Sequence, residues 1–221
     1  MVRTRSNAFP LWPLPLAIAA TFTFAAHLAL WLSIRDGYVE ACVPVLEGCT
    51  SISGAARHGL GNHLFRLLVL PCALLLGLHW WLASRWLGRH RDVAWLGAIA
   101  AVALAVYATF LGTDGDTYRF LRRYGVVCFF GFGYLAQLRF LHGARGDARS
   151  GPNLFRAMLA VSATMLLLGV GNVAASALVG DEDLKDRIEN ALEWQLGWLL
   201  AAWYVLQAVC WRRAGAKLAL D

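Results

Sequence analysis

The chain has 221 residues, of which 59% are hydrophobic and 15% charged, whereas soluble domains are about 45–50% apolar and about 25% charged. That balance excludes an ordinary water-soluble domain and makes lipid the solvent for most of the chain. The formal charge of +6 is dispersed among apolar runs and builds no basic stripe, which excludes a nucleic-acid partner and fits a charge bias across a membrane.

Six apolar runs predict an all-α integral membrane protein with about six transmembrane helices, over 14–34, 64–83, 93–112, 121–141, 155–179 and 191–211. Each approaches the ~20 residues that cross a ~30 Å hydrocarbon core. The first run is longer than a signal-peptide core and is expected to remain as an uncleaved helix. Residues 35–62 form an extracytoplasmic loop, long for a connection in a compact protein. Cys42 and Cys49 lie within it on a side where disulfides persist, so a clip is expected, with two unbridged thiols as the alternative. In the fourth span only Tyr124 to Leu138 separates Arg123 from Arg139, so both arginines must reach the headgroups. Gly125, Gly131 and Gly133 there predict close helix contact.

With both termini placed in the cytoplasm, the inner segments carry twelve cations and the outer segments eight, the bias expected of cytoplasmic loops. Trp12, Trp31, Trp80, Trp81, Trp86, Trp95, Trp194 and Trp211 fall near span ends and are expected as interfacial anchors. Cys72, Cys128 and Cys210 are expected as small packing residues, and His27, His79, Gln137 and Asn172 as polar contacts between helices.

Concentrated polar chemistry lies in three outer clusters. Ser51, Ser53, His58 and His63 supply hydroxyls and imidazoles that could serve as nucleophile and base in acyl transfer, or as a capped, glycine-rich turn. Asp114 and Asp116 flank a glycine, but Arg119, Arg122 and Arg123 follow where a calcium loop needs acids. Those arginines, with Arg66, suit a lipid phosphate, since guanidinium binds it bidentately; the alternative is pairing with the nearby acids. Glu193 marks the start of the last span, where an ionisable group is a functional candidate. No metal or cofactor is expected: His58 and His63 would sit about 140° apart on a helix, and His27 and His79 lie toward opposite leaflets, unsuited to one haem iron.

Cys49 to Arg66, with Ser51-Ile52-Ser53-Gly54-Ala55 and a terminal Phe65-Arg66, resembles the FRAG/DRAM/SFK membrane family, as do the six-span layout and Glu193-Trp194. That family includes remodellers of glycosylphosphatidylinositol anchor lipids and autophagy modulators. The anchor-remodelling members carry a proline and asparagine before the serine pair, where this chain has Glu47-Gly48-Cys49-Thr50. The resemblance implies a lipid-associated role with the serine-containing loop on the extracytoplasmic face. Eighteen arginines against two lysines, with abundant alanine and leucine, point to a GC-rich bacterial genome and hence a bacterial cytoplasmic membrane.

The expected function is binding or remodelling of a phospholipid or glycolipid at the outer mouth. A non-catalytic scaffold recruiting a protein through the basic inner face, Arg85, Arg89, Arg91, Arg145 and Arg149, is the alternative. A small-solute transporter, suggested by Gly169, Gly171 and Asn172, is the third.

Overall fold

The computed structural model describes residues 8–88, 90–145 and 151–219. Arg89 and Arg149, expected on a basic inner face, lie outside them. Six long helices carry the fold: α1 (Pro13–Arg35), α4 (Gly59–Trp86), α5 (Arg91–Phe110), α6 (Asp116–Ala144), α7 (Pro152–Leu178) and α8 (Glu182–Arg213). Two single-turn helices, α2 (Pro44–Glu47) and α3 (Ile52–Ala55), lie in the connection between α1 and α4.

α1, α4, α5, α6 and α7 are long and apolar enough to cross a membrane, which gives the chain the build of a multi-pass, all-α membrane protein. α8 is not one of these five. Its apolar stretch contains Trp194, Trp198, Trp203 and Trp211 with Gln195 and Gln207, whose polar edges and amides lower its hydropathy.

The helices form a ring in chain order, with α8 returning onto α1. The closure is completed by an antiparallel strand pair, β1 (Ala8–Pro10) with β2 (Lys217–Ala219), in which Phe9 faces Leu218. β1 and β2 therefore meet at one end of the bundle, the terminal end. The 36–58 connection and the α5–α6 and α7–α8 turns gather at the opposite, distal end.

Helix boundaries follow local chemistry. Proline opens α1 and α7, where its missing N–H costs nothing. Asp181 caps α8 by accepting the Leu184 N–H at 3.0 Å. Glu182 and Asp183 occupy the first turn of α8 and Arg212 and Arg213 its last, each matching the sign of the helix dipole.

The terminal half holds an aromatic core. His79 is fully buried against Trp80, Tyr204 and Trp211, and Trp203 packs on Trp80 and Phe140. Trp80, Trp194 and Trp211 thus correct the anchor expectation: they are core residues, at 0–2% exposure. Position along a helix predicted their depth, but the face they occupy points inward. Trp31, Trp81 and Trp95 do point outward, and Arg35 and Arg85 lie over the Trp31 and Trp81 rings, an arrangement suited to a headgroup layer.

The glycine expectation for α6 divides. Gly125 touches Tyr107 and the Ala103 carbonyl on α5, whereas Gly131 faces open space. Gln137 and Asn172 depart from the expected polar contacts between helices: among the described residues neither amide atom of Gln137 and not Oδ1 of Asn172 has a hydrogen-bond partner.

Candidate functional site

The distal end is built on a loop that the long helices hold in place. Cys42 and Cys49 are joined in a disulfide, with their Cα atoms 6.6 Å apart. α8 then presents one face to this loop. Arg187 Nε donates to the Glu47 carbonyl, Asn190 Nδ2 to the Gly48 carbonyl and Trp194 Nε1 to the Thr50 carbonyl, at 3.0, 3.0 and 2.9 Å. Gln195 adds a bond to the Val45 carbonyl at 3.1 Å. Spacings of three and four place Arg187, Asn190 and Trp194 in one stripe of the helix.

α3 completes the fastening. Ser51 caps it, its Oγ accepting the Gly54 N–H at 2.9 Å, while Ser51 and Ser53 hydroxyls share a bond at 3.0 Å. The Glu193 carboxylate accepts the Ser53 N–H at 3.1 Å, and the Ile52 N–H also bonds to it. An acid at a helix start meets unpaired N–H groups, so these contacts are favourable. Asn62, buried at the start of α4, donates to the carbonyls of Ala56 and Leu111 at 3.0 and 2.9 Å. This ties the loop to the α5–α6 turn.

That turn carries the second cluster. Gly112 has φ +82°, and a Cβ there would lie 2.8 Å from the Arg57 carbonyl, so glycine is required both by conformation and by space. Arg122 Nη1 donates to the Phe110 carbonyl at 3.4 Å and to that of Thr113, which places a cation at the carbonyl end of α5, where the Phe110 carbonyl also accepts the Thr113 N–H and hydroxyl. Arg119 pairs with Asp116. Among the described residues the side chains of Arg57 and Arg123 make no ion pair or hydrogen bond, although the Arg57 backbone N–H donates to the Gly54 carbonyl at 3.3 Å.

Three cavities adjoin here. An apolar one of about 80 Å³, partly open to the exterior, lies between α1, α4, α5, α6 and α8; Phe22, Phe65, Val69, Phe129, Phe130 and Leu200 are among its walls, and α7 contributes none of them. Ile52, Tyr107, Glu193 and Trp194 close its distal side. A cationic cavity of about 360 Å³ is lined by Ser53, Arg57, Arg119, Arg122 and Arg123, and shares Tyr107 and Val126 with the apolar one. A mixed cavity of about 520 Å³ contains His58, Thr113 and Asp114, and shares Arg57, Arg119 and Arg122 with the cationic one.

The structure thus brings together Ser53, Glu193, Asp114, Arg119, Arg122 and Arg123. Ser51 stands beside them as a cap. Three predicted residues stay outside: Arg66, His63 and Asp116, the last exposed and engaged by Arg119. Arg66 lines none of the three cavities, because Phe65 and Val69 turn that face of α4 inward and the next residue is about 100° away. His63 is exposed on α4. His58 stacks on Tyr38, with ring centroids 4.9 Å apart, and among the described residues no hydrogen bond joins a histidine to Ser51 or Ser53.

Arg57 and Tyr107 complete the site from outside the predicted set. The buried Tyr107 ring faces Ser53 and lies within electrostatic reach of Glu193, Arg57 and Arg122. Its sequence signal was its isolation as the one ionisable side chain between Asp92 and Asp114. Arg57 had no such signal, since it stands beside histidine and glycine in a polar stretch. At the terminal end, Arg139 pairs with Asp92. Gly169, Gly171 and Asn172 lie within an unbroken α7.

Comparison of the chain with family models, with curated proteins and with solved structures finds no match to any of them.

Proposed function

We propose that this protein crosses a bacterial cytoplasmic membrane six times, with both ends in the cytoplasm, and binds an anionic phospholipid or glycolipid at its extracytoplasmic mouth. The β1–β2 pairing supports an even number of crossings, with α8 as the sixth, because it holds residues 8–10 and 217–219 on one side. The resemblance of residues 49–66 to the FRAG/DRAM/SFK family belongs to the same proposal.

The observation that carries the lipid reading is the shared wall. Tyr107 and Val126 line both the apolar cavity and the arginine cavity, so one amphiphile can place a chain in the first and an anion in the second. Arg119, Arg122 and Arg123 stand in the first turns of α6, where the helix dipole is already positive and cations are unfavourable. A phosphate relieves that repulsion. A chain that leaves the bilayer for the cavity exchanges one apolar surrounding for another, so selectivity rests on the head group.

The test is mass spectrometry of lipid co-purified with the wild type and with Arg57→Ala plus Arg123→Ala. These two arginines are preferable to Arg122, which also holds the end of α5. Loss of bound anionic lipid from a folded double variant is expected; unchanged lipid removes the head-group role.

A further inference from the structure

The three cavities stand in a fixed order. The apolar cavity adjoins the arginine cavity through Tyr107 and Val126, and the arginine cavity adjoins the mixed one through Arg57, Arg119 and Arg122. The apolar and mixed cavities have no lining residue in common. Such an order matches an amphiphile with three parts: chain, phosphate and a polar cap beyond the phosphate.

The charge of the last cavity limits that cap. The arginine cavity has no acid in its wall, whereas the mixed cavity adds Asp114, with the Thr113 hydroxyl and the His58 ring, to the three shared arginines. Asp114 is exposed and makes no ion pair or hydrogen bond among the described residues. A second phosphate there would meet the carboxylate at close range, and like charges disfavour each other. An ammonium or choline cap would meet three guanidinium groups. A phosphomonoester would leave the cavity without a partner for Asp114. Hydroxyl groups satisfy both signs, since each can donate to a carboxylate and accept from a guanidinium.

We propose that the ligand is a phosphodiester lipid whose head group continues beyond the phosphate as a polyol, glycerol or sugar, with its hydroxyls facing Asp114 and Thr113. The inference rests on the lipid reading above and specifies its substrate class.

The experiment measures Kd of the detergent-solubilised full chain for phosphatidylglycerol, phosphatidic acid and deacylated glycerophosphoglycerol, in wild type and Asp114→Ala. Expected is a roughly tenfold fall in phosphatidylglycerol affinity relative to phosphatidic acid in the variant, the size of one charge-assisted hydrogen bond. Equal responses of the two lipids to the substitution would overturn the polyol assignment while leaving a lipid site in place. If neither lipid binds the wild type, or if glycerophosphoglycerol binds as tightly as the intact lipid, the lipid reading itself fails.

Discussion

The Glu193 carboxylate accepts the backbone N–H of Ser53 at 3.1 Å across 140 residues of chain. It fastens the last long helix to the one-turn helix α3 and closes the distal side of the apolar cavity. Glu193→Ala leaves the Ser53 and Ile52 N–H groups without their acceptor, which costs about 1–3 kcal/mol per buried group. Glu193→Gln retains a carbonyl oxygen and is expected to lose less. Thermal unfolding in detergent should therefore rank wild type above Gln and Gln above Ala; an Ala variant as stable as wild type would show that the contact holds nothing.

Gly48 ends α2 at φ +64°, and a Cβ there would lie 1.8 Å from the Arg187 carbonyl oxygen. Gly48→Ala therefore meets two penalties, a left-handed backbone that costs about 1–3 kcal/mol and a clash with the backbone of α8. Gly37 offers the control, since it has φ +77° but nothing within 4 Å. Gly48→Ala should lower the unfolding temperature clearly more than Gly37→Ala, and equal losses would show that the contact with α8 is not close.

The Cys42–Cys49 bridge closes a loop of sequence separation 7, for which loop entropy gives about 2–3 kcal/mol. That gain concerns the mouth. Replacing both cysteines with serine is expected to accelerate backbone hydrogen exchange in residues 43–53 while the aromatic core around His79 stays protected. Exchange that rises equally in α4 and α8 near that core would mean the bridge supports the whole bundle.

Apolar runs located the long helices because lipid solvent demands them, yet α4 begins at Gly59 and α6 at Asp116, ahead of the runs. Helical hydrogen bonding continues into the polar layer, where hydropathy no longer reports it. The stripe Arg187, Asn190, Trp194 could be read as one helix face, but its partners are backbone carbonyls in a loop far away in sequence. Carbonyls carry no side-chain signature, so this fastening was invisible. Arg66 shows the reverse error. Its chemistry suited a phosphate, but one step from Phe65 around α4 turns it away from the site.

Gly97 and Trp80 set the distance between α4 and α5 beneath the site. A Cβ on Gly97 would lie 2.1 Å from the Trp80 Cβ and Cγ atoms, and Trp80 is fully buried, so the ring has nowhere to move. Gly97→Ala must separate the two helices or displace a core tryptophan, and overpacking of this kind costs about 1–3 kcal/mol. Gly131 on α6 has nothing within 4 Å, and alanine there gains up to about 1 kcal/mol of helix propensity. Thermal unfolding of the two variants should therefore move in opposite directions. A Gly97→Ala protein that unfolds at the wild-type temperature would show that α4 and α5 do not pack this closely.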